Sequence, residues 1–235
     1  MSSPSAGEIW RPSHNPWLIA ITVMSATSME VLDTSVANVS LPHIAGSLAV
    51  TTEESTWVLT SYLVANAIVL PMTGWLGNYF GRKKLLIACI SIFTIASVLC
   101  GMAANLPILI LARILQGAGG GAMVPISQAI LLESFPPHKR GAAMAAFAMG
   151  VVVAPIIGPT LGGWITDNYS WRWIFYINLP VGIISALMCE AVVEDPPYIT
   201  NAKVGRIDLI GFVFLAAWLG ALQVMLDKGE QEAWF

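Results

Sequence analysis

Two carboxylates, Glu30 and Asp33, and one guanidinium, Arg113, stand inside long apolar stretches of the sequence. Glu30 and Asp33 are three residues apart, which puts both on one face of a helix. Arg113 is followed by Gln116 and Gly117 at the i+3 and i+4 positions, so its own helix carries a polar strip. A charge held in hydrocarbon costs at least about 2.5 to 3.5 kcal/mol unless it is paired, and such residues face a partner or a cavity. A carboxylate alternately near to and far from an arginine can load and release a proton. Two plainer readings stand beside this one. Asp33 and Arg113 could form a fixed pair that only joins two helices, or Arg113 could snorkel, since it lies about one and a half turns from the outer end of its segment.

The segments that must position these residues are membrane spans. Hydrophobic residues make up 56% of the chain and charged residues 11%, with a mean hydropathy of +0.72; a soluble domain carries about 25% charged residues. A bilayer core about 30 Å thick is crossed by about 20 apolar helical residues, because every backbone group must be satisfied within the segment. Seven segments qualify, approximately 17–39, 57–76, 85–104, 108–132, 142–165, 173–193 and 209–226. Turn chemistry separates them at Leu41-Pro42-His43, Asn105-Leu106-Pro107, Phe135-Pro136-Pro137 and Glu194-Asp195-Pro196-Pro197. The expected fold class is therefore an all-α integral membrane bundle.

Arg11, Arg82, Lys83, Lys84, Lys139, Arg140, Lys203 and Arg206 fall in the N-terminal arm and alternate loops, against Arg172 and Lys228 in the opposite loops. By the positive-inside rule the N-terminus is cytoplasmic. The first apolar run ends at Glu30 and Asp33 rather than at a small-residue cleavage site, as an uncleaved span does and a signal peptide does not. The expected organisation is a cytoplasmic arm (1–16), a six-span unit (17–193), a cytoplasmic linker (194–206), a seventh span (207–226) and an outer segment (227–235) that reads as truncated. Cys89, Cys100 and Cys189 lie in apolar runs without metal or disulfide spacing and read as packing residues. A net charge of −3 with basic residues in short clusters gives no footprint for nucleic acid. The Gly117 to Gly121 run is followed by no Gly-Lys-Ser/Thr, and no nucleophile with a base or metal cluster appears, so enzymatic activity has no support.

The loop after the second span contains Gly74, Gly77, Asn78, Gly81 and Arg82. Its glycines allow a tight turn and its basic cluster fixes it at the cytoplasmic surface. This spacing resembles the signature loop of the major facilitator superfamily, which helps latch two halves of a transporter; Asn78 stands where the usual pattern has aspartate, implying a neutral hydrogen bond there. Arg113-x-x-Gln116-Gly117 resembles the family's second motif, linked to proton transfer. Val31 to Pro42 resembles the first-span signature of the fourteen-span drug/proton antiporters. The fifth span sets Gly150, Ala154, Gly158 and Gly162 four apart with Pro155 and Pro159 between them, which permits a close helix crossing. The run on to Gly163 resembles the antiporter motif found in exporters. Trp171 to Gly182 and Leu226-Asp227-Lys228-Gly229 extend the likeness over nearly the whole chain.

The resemblance implies the N-terminal half of the major facilitator fold plus one extra span, in a multi-pass protein of the bacterial inner membrane. It implies efflux of small hydrophobic drugs or toxicants in exchange for protons, without a cofactor, together with a missing C-terminal half, a periplasmic adaptor and an outer-membrane channel as partners. Asp33, Arg113, Glu30 and Gln116 would carry proton coupling. Tyr62 and Asn66, one turn apart on the second span, are candidates for the substrate cavity, although a polar helix contact explains them equally well. An uptake symporter of the same fold is the alternative. A seven-span receptor is suggested by span count alone, and its N-terminus would lie outside.

Overall fold

The computed structural model describes residues 10, 12–200, 208–229 and 234. Arg11, Lys203 and Arg206, most of the expected arm, the later part of the linker and most of the outer segment lie outside the described residues. No strand occurs among those described. The helices are α1 (Pro16–Leu48), α2 (Thr52–Phe80), α3 (Arg82–Met102), α4 (Leu106–Ser134), α5 (Pro137–Asn168) and α6 (Trp173–Val192), followed by α7 (Leu209–Lys228). Among the described residues, α2 to α6 are long and apolar enough to cross a membrane, and α7 holds a shorter apolar run, Ile210–Leu226. Helix α1 has ample length, and its polar residues Thr22, Thr27, Glu30, Asp33 and Ser40 are turned inward and buried, out of contact with lipid.

Local chemistry sets the helix ends. Asn15 caps α1 by accepting from the Trp17 N–H at 2.9 Å, and Asn105 caps α4 by accepting from the Ile108 N–H at 3.0 Å. Thr51 and Glu54 form a reciprocal capping box at the start of α2. The α2–α3 turn is a single residue, Gly81, at φ +87°, a conformation that favours glycine. At Leu41-Pro42-His43 the outcome differs from the sequence expectation of a stop: α1 runs through Pro42 to Leu48. Leu41, Ile44 and Ala45 are buried on that extension, and their packing outweighs the one backbone donor that proline lacks.

Helix α1 lies against α5, α6 and the second half of α4, while the first half of α4 packs on α2 and α3, and α7 sits outside on α2. Two apolar cores result. One joins Val23, Leu86, Phe93, Met123 and Phe135 towards the cytoplasmic end; the other joins Val36, Ile44, Val58, Leu109 and Phe175 towards the outer end. Glu30 and Asp33 occupy the layer between them.

Glycines make these crossings close. A Cβ on Gly121 would stand 2.5 Å from the Asn66 carbonyl oxygen, one on Gly117 would collide with the Tyr62 carbonyl, and one on Gly119 would stand 2.8 Å from the Phe93 nitrogen. On α5, Cβ atoms at Gly150, Gly158 and Gly162 would meet Met24, Ser35 and Val36 of α1, whereas Gly163 faces open space. Because Pro159 has no N–H, the Pro155 carbonyl loses its helical donor; the Ser35 hydroxyl donates to it at 3.4 Å. The proline thus creates an acceptor that α1 uses.

Gly121→Ala should lower stability by about 1 to 3 kcal/mol, since the Asn66 backbone cannot yield. Gly46→Ala, where nothing lies within 4 Å, should be neutral or gain up to about 1 kcal/mol. Thermal unfolding of the two variants in detergent checks the contrast.

Candidate functional site

Arg113 reaches the middle of the bundle from α4 because the glycines that follow it bring α4 against α2 and α3. Its side chain is fully buried, so it does not snorkel. Nη1 donates to Asp33 Oδ2 at 2.6 Å and to Gln116 Oε1 at 2.9 Å, and Nε donates to the Val58 carbonyl at 3.0 Å. The guanidinium carbon lies 4.4 Å from the Tyr62 ring centre and 5.6 Å from that of Phe175, stacking that desolvation strengthens. Asp33 Oδ1 accepts from Gln116 Nε2 at 2.9 Å and from Asn178 Nδ2 at 2.6 Å. The Asn178 amide also donates to Ser97 Oγ at 3.0 Å, and Ser97 donates to the Phe175 carbonyl at 2.8 Å. One carboxylate is therefore held jointly by α4 and α6, and the network extends to α2 and α3.

Glu30 forms a neighbouring cluster. Its Oε1 accepts from Asn66 Nδ2 at 2.9 Å and from the Tyr62 hydroxyl at 3.4 Å. Tyr62 thus touches both the Glu30 carboxyl and the Arg113 guanidinium. Glu30 Oε2 and Arg113 Nη2 are buried without a hydrogen-bond partner among the described residues. The structure places Tyr62 and Asn66 on this carboxylate, and a groove opens elsewhere in the bundle. That groove, of about 430 Å³, lies between α1, α5 and α6 and is lined by Ser25, Ser28, Met29, Val153, Ile157, Asn178 and Val181 among others.

The signature loop is held from within the chain. Gly81 and the first N–H groups of α3 abut Asp195: its Oδ1 accepts from the Arg82 and Lys83 backbone N–H groups, both at 2.9 Å. Arg82 pairs with Glu133 at the end of α4, and Glu133 also accepts from the Tyr198 hydroxyl at 2.6 Å. Lys83 Nζ donates to the Glu190 carbonyl at 2.6 Å. A Cβ on Gly77 would stand 2.9 Å from Ile126, whereas Gly74 faces open space; Asn78 is exposed. Outside the spans, hydrogen bonds from the Ser13 hydroxyl and backbone hold the Glu194 carboxyl below the usual carboxylate range. Burial, then Glu133, pushes the Tyr198 hydroxyl up to about 12.

Residue-by-residue sequence reasoning did not single out Asn178, Ser97, Asp195 or Glu133. The signal for Asn178 was present as a lone amide among the apolar residues of the sixth span. For Asp195 and Glu133 it was an acidic residue at the cytoplasmic end of a span, opposite the Arg82-Lys83-Lys84 cluster.

The pattern of the Major Facilitator Superfamily matches residues 23–227. The chain belongs to this superfamily. It is 44% identical over 218 residues to the multidrug export protein EmrB of Haemophilus influenzae, covering 93% of this chain and 42% of that protein. To the fatty acid resistance protein FarB of Neisseria gonorrhoeae it is 46% identical over 217 residues, covering 92% and 42%. The chain thus spans about two-fifths of the length of these relatives. In fold it is similar to the Escherichia coli xylose transporter XylE in a partially occluded inward-open conformation, with a TM-score of 0.71 at 17% identity over 92% of this chain and 60% of that one. A bacterial homolog of the human lysosomal transporter Spinster gives 0.67 at 22% identity over 79% and 46%. The fold is that of the superfamily's N-terminal helices, in a multi-pass protein of the inner membrane.

Arg113→Gln should destabilise the bundle by about 3 to 5 kcal/mol, because Asp33 would be left buried and uncompensated. Adding Asp33→Asn should recover most of that loss in the same detergent unfolding assay. Asp195→Ala leaves the first N–H groups of α3 without an acceptor and should cost about 1 kcal/mol, with faster hydrogen exchange confined to residues 82–85.

Proposed function

We propose that this superfamily chain is part of a proton-coupled exporter of hydrophobic drug-like molecules, with Asp33 as the proton carrier and Arg113 as its counter-ion. The observation that carries this reading is the buried Asp33–Arg113 pair, whose carboxylate is also held by Gln116 and Asn178. A proton arriving on Asp33 removes the charge that these donors share, and α1, α4 and α6 lose their common anchor. Loss of the proton restores it. Each exchange of a proton therefore alters how three helices are held, which is what a transporter needs to alternate access.

Export rather than uptake is favoured by the glycine and proline stripe of α5 and by the likeness to the multidrug export protein EmrB. The fold likeness to a proton:xylose symporter, at 16% identity, does not bear on direction. Because an inner-membrane exporter delivers its substrate to the periplasm, we infer a periplasmic adaptor and an outer-membrane channel as partners. The C-terminal helices of the intact transporter would supply the other wall of the substrate path.

In cells expressing the intact transporter, accumulation of a fluorescent hydrophobic dye should fall, and Asp33→Asn should return it to the level of cells lacking the protein. Retention of full proton-driven efflux by Asp33→Asn, at equal protein abundance in the membrane, would exclude the carrier role. Dye uptake that rises on expression would reverse the direction.

A further inference from the structure

The groove between α1, α5 and α6 and the Asp33 cluster have one side chain in common, Asn178. The amide's orientation is fixed by chemistry. Its NH₂ faces Asp33 Oδ1, a carboxylate oxygen, and Ser97 Oγ, whose own hydrogen is given to the Phe175 carbonyl. Both neighbours accept, so only the NH₂ group fits there. Both amide hydrogens are thereby committed, and the polar capacity left to Asn178 is its carbonyl oxygen.

The groove's two hydroxyls are in the same condition. Ser28 donates to the Gly150 carbonyl at 3.3 Å; Ser25 donates to the Thr22 carbonyl at 2.8 Å, with the Ser185 hydroxyl beside it at 2.9 Å. A groove of about 430 Å³, otherwise walled by Val153, Ile157, Val181 and other apolar residues, thus presents hydrogen-bond acceptors and no uncommitted donor. It holds no charged side chain. A molecule that fits it must be apolar, and gains further if it brings its own donor.

We propose that this groove is a subsite for apolar molecules bearing one N–H or O–H donor, and that Asn178 passes its occupancy to Asp33. A donor bound at the Asn178 carbonyl polarises the amide and strengthens its NH₂ as a donor to Asp33, as in any hydrogen-bonded chain. The carboxylate form of Asp33 is then favoured, so binding expels a proton and, by linkage, a proton weakens binding. The ionisable groups that share this environment are Glu30 on α1, Tyr62 on α2, Cys100 on α3 and Arg113 on α4; α6 presents Asn178. The second half of the proposal rests on Asp33 being the proton carrier, and the first half does not.

Carbazole and N-methylcarbazole are rigid, fluorescent, uncharged and alike except for the N–H, and they serve as probes on the intact transporter in detergent. The wild type should bind carbazole about fivefold more tightly than N-methylcarbazole, and carbazole alone should release protons to a pH indicator. Asn178→Leu should equalise the two affinities at the N-methylcarbazole value and abolish proton release; Asn178→Gln should restore part of the preference. Val181→Trp, which fills the groove without touching Asp33, should exclude both probes. Asp33→Asn should keep the carbazole preference and lose proton release. Equal affinities in the wild type, or a preference that survives Asn178→Leu, overturns the subsite. So does failure of both probes to bind, as when lipid chains fill the groove. Proton release that survives Asp33→Asn instead counts against the carrier, leaving the donor preference to be judged separately.

Discussion

A guanidinium without access to water has to be neutralised and hydrogen-bonded where it lies, and the buried Arg113 imposes that requirement on the whole bundle. Desolvating an ion costs several kcal/mol even after relaxation, and the pair repays it only if geometry is good and the remaining donors find acceptors. Asp33 supplies the charge; Val58 and Gln116 supply acceptors, and Tyr62 and Phe175 supply ring faces. Those partners come from α1, α2, α4 and the start of α6. Any arrangement of these helices that misplaced one of them would leave a charge uncompensated, so the polar layer specifies the bundle's register more sharply than the two apolar cores on either side of it.

The cores could not do this alone, because lipid chains are as apolar as leucine and give no preference for helix over lipid. What lipid cannot match is close backbone approach. Gly117, Gly119 and Gly121 admit α4 onto α2 and α3, and Gly158 and Gly162 admit α5 onto α1. The prolines of α5 add a polar contact to the apolar one, since Ser35 donates to a carbonyl that Pro159 leaves without a helical partner. Small residues set the distance between helices, and the ionic layer sets which residues face one another at that distance.

Much of this was legible in the sequence. The order of the helices follows from hydropathy, although five of the seven expected spans are long and apolar enough to cross a membrane among the described residues, and Asp33, Arg113 and Gln116 stand out as polar residues in apolar runs. The parts that were not legible depend on distance. Tyr62 and Asn66 read equally well as cavity residues or as a polar contact, and only the fold brings both onto Glu30. Asn178 belongs to an aromatic string whose other members dominate its appearance, and its bond to Asp33 spans 145 positions of sequence. Asp195 looked like part of a turn because prolines follow it, yet it meets the N-terminus of α3 more than a hundred residues earlier. Pro42 misled in the opposite sense: a local helix breaker was overridden by burial of Leu41, Ile44 and Ala45.

On the reading proposed above, the layer that assembles the helices also switches them, and the magnitudes bound what one proton can do. Removing one member of a buried ion pair is worth about 3 to 5 kcal/mol, whereas driving a two-state equilibrium from 1:99 to 99:1 takes about 5.5 kcal/mol. With Asp33 as the proton carrier, as proposed, one proton would supply most of what such a change requires and fall short of completing it. The groove occupancy proposed above acts on the same donors in the opposite sense, since a donor on the Asn178 carbonyl strengthens the bond to Asp33 and favours its charged form. At the cytoplasmic end the contacts are of another kind. Asp195 on the α3 N-terminus, Arg82 on Glu133 and Tyr198 on the same carboxylate join α3, α4 and the segment after α6 through several independent bonds, none of which involves Asp33. On the reading proposed above, a proton on Asp33 would loosen α1, α4 and α6 about a cytoplasmic end whose bonds it does not touch, which favours a pivot over a separation.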